Sequence, residues 1–215
     1  MKKKIIILSI LMLFASGCST VRNSSYDAIV DEALANTNLS TNVSRPGYKY
    51  YLPLGLRLLK EEGSNEFISK NDTIYYLFID YISYFNKKED TYTENKNAIY
   101  SLKIKKNDLF GYLEIKNTEN DKYFIEIMYN YAKIEVIVEK EKANEAIAYA
   151  MSILSSITYQ DTVLTSLMGE DVLKSNEVEH NIFETAQTES DYLQIVEEYG
   201  QYEEDETVDP DFIRR

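Results

Sequence analysis

Between Ala98 and Val138 apolar residues return at every second position, and short polar steps break the runs. Ala98, Tyr100, Leu102 and Ile104 alternate with Ser101, Lys103 and Lys105, and Leu113 and Ile115 alternate with Glu114 and Lys116. Tyr123, Ile125, Ile127, Tyr129 and Tyr131 follow, then Ala132, Ile134, Val136 and Val138 set against Lys133, Glu135 and Glu139. A period of two sends alternate side chains to opposite faces of a strand, so each run offers one face to a core. The steps at Asn107-Asp108 and Asn120-Asp121 are too short for a parallel crossover. The strands must therefore meander antiparallel.

Upstream, Tyr48 to Leu52 reads as a strand closed by Pro53, with a short piece at Leu56 to Leu59 and a pairing segment at Phe67-Ile68 before a turn at Asn71-Asp72. Thr73 to Tyr84 is apolar at both alternating positions apart from Asp80, as in a central strand covered on both sides. After Val138 the period changes. Ala143, Ala146, Ile147, Ala150, Met151, Leu154 and Ile157 recur at helical spacing without Gly or Pro. Asp161 then suits the N-cap of a short helix holding Val163, Leu164, Leu167 and Met168, with Gly169 at its left-handed end. Residues 47–169 are thus expected to form an α+β core: an antiparallel β-sheet meander with a long helix packed on it, plus short C-terminal helices.

The flanks differ in composition. Residues 18–46 are rich in Ser, Thr and Asn and end at Pro46-Gly47, which reads as a flexible tether. As coil it would average roughly 30 Å end to end. One amphipathic candidate lies inside it, with Ser24 and Asp27 spaced as a capping box before Ile29, Val30, Ala33 and Leu34. This helix would either stay in the tether or dock on the core. Residues 170–215 form a C-terminal extension with one helix and an acidic tail. The helix is marked by Thr188, Asp191, Tyr192, Ile195, Val196 and Tyr199, and the tail begins at Tyr202.

The first 17 residues carry Lys2-Lys3-Lys4, a short apolar run from Ile5 to Phe14 and the small residues Ala15-Ser16-Gly17, immediately before Cys18. The apolar run is shorter than the about 20 residues a bilayer span needs. The pattern is that of an exported signal peptide. Ala15-Ser16-Gly17-Cys18 resembles the lipobox of bacterial lipoproteins. That resemblance implies cleavage after residue 17, a thioether-linked diacylglyceryl group on Cys18 and residence at the cell membrane, lipid-anchored on the extracytoplasmic face. Two acyl chains hold stably where one holds marginally. Cys18 is the sole cysteine, so the mature chain would have no disulfide. Removing residues 1–17 deletes three lysines and no acid, which moves the formal charge from −13 to −16. Such a chain lacks the clustered cations that bind nucleic acid by counterion release.

A second resemblance lies in the core. Tyr50-Tyr51-Leu52-Pro53-Leu54-Gly55-Leu56 resembles the opening strand and Leu-Pro-x-Gly turn of the PsbP-like group, and the helix ending Ile153-Leu154-Ser155-Ser156-Ile157 is similar to that group's last helix. The resemblance implies an antiparallel sheet packed between helices and an accessory or binding role. It carries over no functional residue.

The chemistry-bearing residues are few. His180 is the only histidine, in a polar segment with no Gly-x-Ser-x-Gly elbow beside it. Zinc sites built from several Cys or His are excluded by count. The Asn-Asp dipeptides are explained by turns and include no Asp-x-Asp-x-Asp-Gly calcium loop. The acidic run Glu203 to Glu206 reads as a solvated tail, and Ser155-Ser156 as helix packing. Asp80, if buried on a central strand, would be the candidate for acid/base work. The many strand tyrosines are expected mainly in the core, and an exposed group of them would suit a sugar or peptide. The expected function is a membrane-anchored lipoprotein that binds an envelope protein or glycan without catalysis, metal or cofactor. The alternative is a carboxylate-dependent envelope hydrolase using Asp80.

Overall fold

The computed structural model describes residues 21, 23–36, 39–88, 91–118 and 120–168. The chain divides into two units after Lys174, and all described residues belong to the first. They form an α+β domain. The helices are α1 (Tyr26–Ala35), α2 (Tyr81–Phe85), α3 (Ala143–Ser156) and α4 (Asp161–Met168). The strands are β1 (Val43–Arg45), β2 (Tyr48–Tyr50), β3 (Arg57–Glu62), β4 (Asn65–Lys70), β5 (Thr73–Ile79), β6 (Tyr100–Lys106), β7 (Leu109–Asn117), β8 (Tyr123–Tyr129), β9 (Ala132–Val138) and β10 (Thr158–Tyr159).

Seven strands make one antiparallel sheet in the order β3-β4-β5-β9-β8-β7-β6. Two meanders, β3 to β5 and β6 to β9, meet where β5 pairs with β9. The connection after β5 crosses to the far edge, so the last strand of the second meander closes the centre. Asn-Asp turns join β4 to β5 and β6 to β7, with Asn71 and Asn107 at positive φ as asparagine tolerates. The β8–β9 link is tighter than expected. Asn130 and Tyr131 form a two-residue loop with φ of 52° and 59°, so Tyr131 leaves the strand on which its spacing had placed it.

Cross-strand partners sort the sheet into two faces. The first carries Leu77, Ile134, Ile127 and Leu113 in one band and Ile68, Tyr75, Val136, Ile125 and Ile115 in the next, all buried. α3 lies on β8 and β9 and inserts Ile147, Met151, Ile153 and Leu154, while Ala143, Ala146 and Ala150 permit close approach. α1 packs beside α3 and buries Ile29, Val30 and Leu34. Its side chain cap is Ser25, one residue later than the spacing suggested, and its Oγ accepts from the Ala28 N–H. The Lys106 ammonium donates to the Leu34 carbonyl at the other end, where the helix dipole favours a cation.

The stretch expected to be a flexible tether is therefore in large part packed. A ten-residue helix is marginal in water, and burial of its apolar stripe on the core is what holds α1 in place. β1 extends the same correction, because it pairs with β2 in a small sheet completed by β10. The expected strand from Thr73 to Tyr84 is also shorter, ending at Ile79. Asp80 accepts a hydrogen bond from the Ser83 N–H at 2.8 Å and starts α2. The segment Tyr81–Phe85 is apolar in either period, so its composition did not reveal the change. Expected features at Cys18, Gly169, His180, Thr188 to Tyr199 and Glu203 to Glu206 lie outside the described residues.

Candidate functional site

The second face of the seven-stranded sheet carries the charges. On neighbouring strands Glu114, Glu126 and Glu135 stand directly opposite one another, and like charges so placed repel. Each carboxylate has an answer nearby. Lys133, one row along on β9, contacts Glu135 closely and lies 3.6 Å from Glu126. The Tyr112 hydroxyl donates to Glu126 Oε1 at 2.6 Å. Glu114 takes the Lys116 ammonium at 2.6 Å, the Asn95 amide at 2.9 Å and the Tyr92 hydroxyl at 2.9 Å. The Tyr92 and Tyr112 rings stack at 4.1 Å, which ties the loop before β6 onto this face.

Burial sets the electrostatics. The side chains of Lys133 and Glu135 are 7 % and 9 % exposed, while Glu126 keeps 18 %. Loss of water pushes the Lys133 ammonium below its usual pKa, with Glu126 and Glu135 offsetting part of the shift. Loss of water likewise pushes the Glu135 carboxyl up, against the pull of Lys133. Desolvation thus opposes the charges that the ion pair brings together. For Glu114 burial acts upward too, but Lys116, Asn95 and Tyr92 outweigh it and leave the carboxyl below its ordinary value. The Tyr76 hydroxyl, 2.5 Å from the Asn65 side-chain oxygen, is pushed up to about 12 by burial and the nearby carboxylates.

A second polar cluster fastens the small sheet to the large one. Glu66 of β4 is fully buried, and both the Tyr48 and Tyr50 hydroxyls donate to its two oxygens. The alternation Tyr48-Lys49-Tyr50 sends both rings to the same side of β2. Arg45 approaches Glu66 at 3.5 Å and Glu61 at 2.9 Å, so the buried carboxylate is paired and hydrogen-bonded. Burial raises the pKa of both tyrosines above the ordinary phenol value, with Glu66 adding to it. Every oxygen here is committed to holding β2 against β4. This is a staple.

On the outer side of the helix layer a groove of about 310 Å³ runs between α1, α3 and the chain after β2. Val21, Ile29, Ala33, Leu39, Pro53 and Ala148 supply its apolar lining. Val21 is fixed there by the Asn144 amide, which donates to the carbonyls of Val21 and Ser24 at 2.9 and 2.7 Å.

The sequence-predicted residues scatter among these places. Asp80 is a helix cap, remote in role from the carboxylate row. Ser156 accepts from the Tyr51 N–H and donates to the Ile153 carbonyl, which is packing work. The tyrosines divide: Tyr75, Tyr129 and Tyr131 are buried, whereas Tyr76, Tyr92 and Tyr112 are half-buried beside the carboxylates. Lys133 and Glu135 looked solvent-facing in their alternating strand and are buried instead. The available signal was three consecutive strands each with a Glu at an outward position. Among the described residues no group of three or more His, Cys, Asp or Glu is arranged to hold a metal ion. No helix among them is long and apolar enough to cross a membrane. No family model matches the chain, and comparison with curated proteins finds no match.

Proposed function

We propose that this chain is a lipid-anchored binding protein, held on the extracytoplasmic face of the cell membrane through Cys18, whose domain engages an envelope protein or glycan. The pattern from Lys2 to Cys18 carries the reading: three cations, a short apolar run and small residues before the only cysteine. The second face of the sheet is the surface best suited to the partner. Tyr76, Tyr92 and Tyr112 offer rigid rings that are apolar on their faces and polar at their tips, a residue type favoured at interface centres. Exposed Lys103, Lys105 and Lys116 stand on the neighbouring strands as a polar rim. Asp80 accepts from the Ser83 N–H as a helix cap, and both oxygens of Glu66 accept from tyrosine hydroxyls, so each carboxylate has a structural role in the fold.

Fatty-acid labelling of the wild-type chain and a Cys18→Ser variant tests the anchor: label should enter the first alone. A photo-crosslinker at position 103, on the rim of the second face, tests the partner. One discrete adduct in intact cells is expected, lost when Tyr112 is changed to Ala. No adduct above that of a crosslinker placed in the β3–β4 turn would refute binding through this face.

A further inference from the structure

We infer that the groove face of the helix layer is the side of the domain that rests on the bilayer, with Leu54 as the residue that enters it. The inference depends on the Cys18 anchor proposed above and adds where and how the domain meets the lipid. Three observations converge. Val21, three residues after Cys18, packs against the hydrophobic core, and its carbonyl is held by Asn144. Three residues reach at most about 11 Å, so the lipidated sulfur stays close to the groove that Val21 lines. The domain is thereby denied the roughly 30 Å stand-off of a free tether.

Tyr51 and Pro53 line the same groove, where the chain turns. The Leu56 N–H donates to the Pro53 carbonyl at 3.1 Å, and Gly55 takes φ of 90°, which closes a tight turn with Leu54 at its tip. Leu54 is 94 % exposed, the most exposed large apolar side chain among the described residues. Nothing lies within 4 Å of where a Cβ on Gly55 would sit, so the turn projects into open space. In water a leucine at the tip of this turn gains no burial energy. Beside an anchor it finds lipid, where burying a leucine is favourable. Glu32 lines the groove and Asp31 is exposed next to it, so the bilayer this face suits is zwitterionic.

The sulfur of Cys18, once a thioether, leaves an introduced thiol as the single site for a probe. Leu54→Cys and, as control, Ser64→Cys at the other end of β3, about 20 Å away along the strand, are purified with their acyl groups. Each is labelled with an environment-sensitive dye and reconstituted into phosphatidylcholine vesicles. Both positions lie in turns outside the core, so the labelled chains fold. The expected result is blue-shifted emission at 54, quenched by lipids bearing a nitroxide on the acyl chain, with aqueous emission and little quenching at 64. Flotation with the vesicles but equal quenching at both positions would overturn the inference. Failure of the unsubstituted chain to float, or reaction of its own cysteine with the dye, would overturn the anchor and this reading with it. That outcome is distinguishable because it is read before any fluorescence is compared.

Discussion

Replacing Lys133 by Met tests whether the second face of the sheet really withholds water from its charges. Met is close to Lys in length and fills the same path across β9, so the change removes the ammonium with little loss of packing. It leaves Glu135, 9 % exposed, and Glu126, 18 % exposed, without their shared cation. Breaking a buried pair from one side costs about 3–5 kcal/mol, against at most about 1 kcal/mol for an exposed pair. In a domain of this size that is a fall in Tm on the order of 10 °C. The double variant Lys133→Met/Glu135→Leu should regain most of the loss, since only Glu126 remains and the Tyr112 hydroxyl still serves it. Urea unfolding followed by circular dichroism measures all three chains. The pH dependence supplies an independent sign. A carboxyl whose folded pKa is raised stabilises the fold as pH drops through that value, so the deficit of the single variant should shrink on acidification. A single variant within about 1 kcal/mol of wild type, or a double variant no better than the single, would refute the buried ion pair.

Two further outcomes are expected. A Cβ on Gly111 would stand 1.9 Å from the Met128 carbonyl oxygen and 2.8 Å from the Tyr129 Cα, both backbone, so Gly111→Ala must pry β7 from β8. A loss of about 1–3 kcal/mol or more is expected in thermal unfolding, and an unchanged Tm would refute that register. Glu114 has a folded pKa below its unfolded one, so its contribution is complete above the ordinary carboxylate range and fades as pH falls through the folded value. The acid limb of the stability curve should therefore flatten in Glu114→Gln, and a limb of unchanged slope would show that Lys116, Asn95 and Tyr92 do not hold the charged form.

The strands and the long helix were legible because their periodicity is carried by residues that the fold then uses. Ala132 to Val138 and the helix from Ala143 have the expected apolar positions buried. What stayed hidden depends on distant pairing. Nothing local in Thr73 to Ile79 says that Ala132 to Val138 will lie beside it, and only that seam explains why both strands are apolar enough for a centre. The burial of Lys133 and Glu135 was hidden for the same reason. An alternating strand gives the face of each residue, while the register that lines up Glu114, Glu126 and Glu135 belongs to three strands at once. Asp80 was misplaced because a helix cap and a strand residue differ by the hydrogen bond to Ser83, which composition does not display.

The packing of α1 alters what an anchor at Cys18 would do. A lipid on a long coil leaves orientation free, and the domain then samples the space above the bilayer. Here the same apolar stripe that completes the helix layer, Ile29, Val30 and Leu34, draws the chain down onto α3. Asn144 then fixes residues 21 and 24 at the start of that helix. With such an anchor, orientation at the membrane would become a property of the folded core, since α1 is too short to persist undocked. The charged face of the sheet lies on the side away from α1 and α3, so a domain resting on its helices would present Tyr76, Tyr92 and Tyr112 outward. Under the proposed anchor, lipid, helix layer and tyrosine face would form one stacked arrangement, in which undocking α1 would free the domain to tumble and blur the direction in which the tyrosine face points.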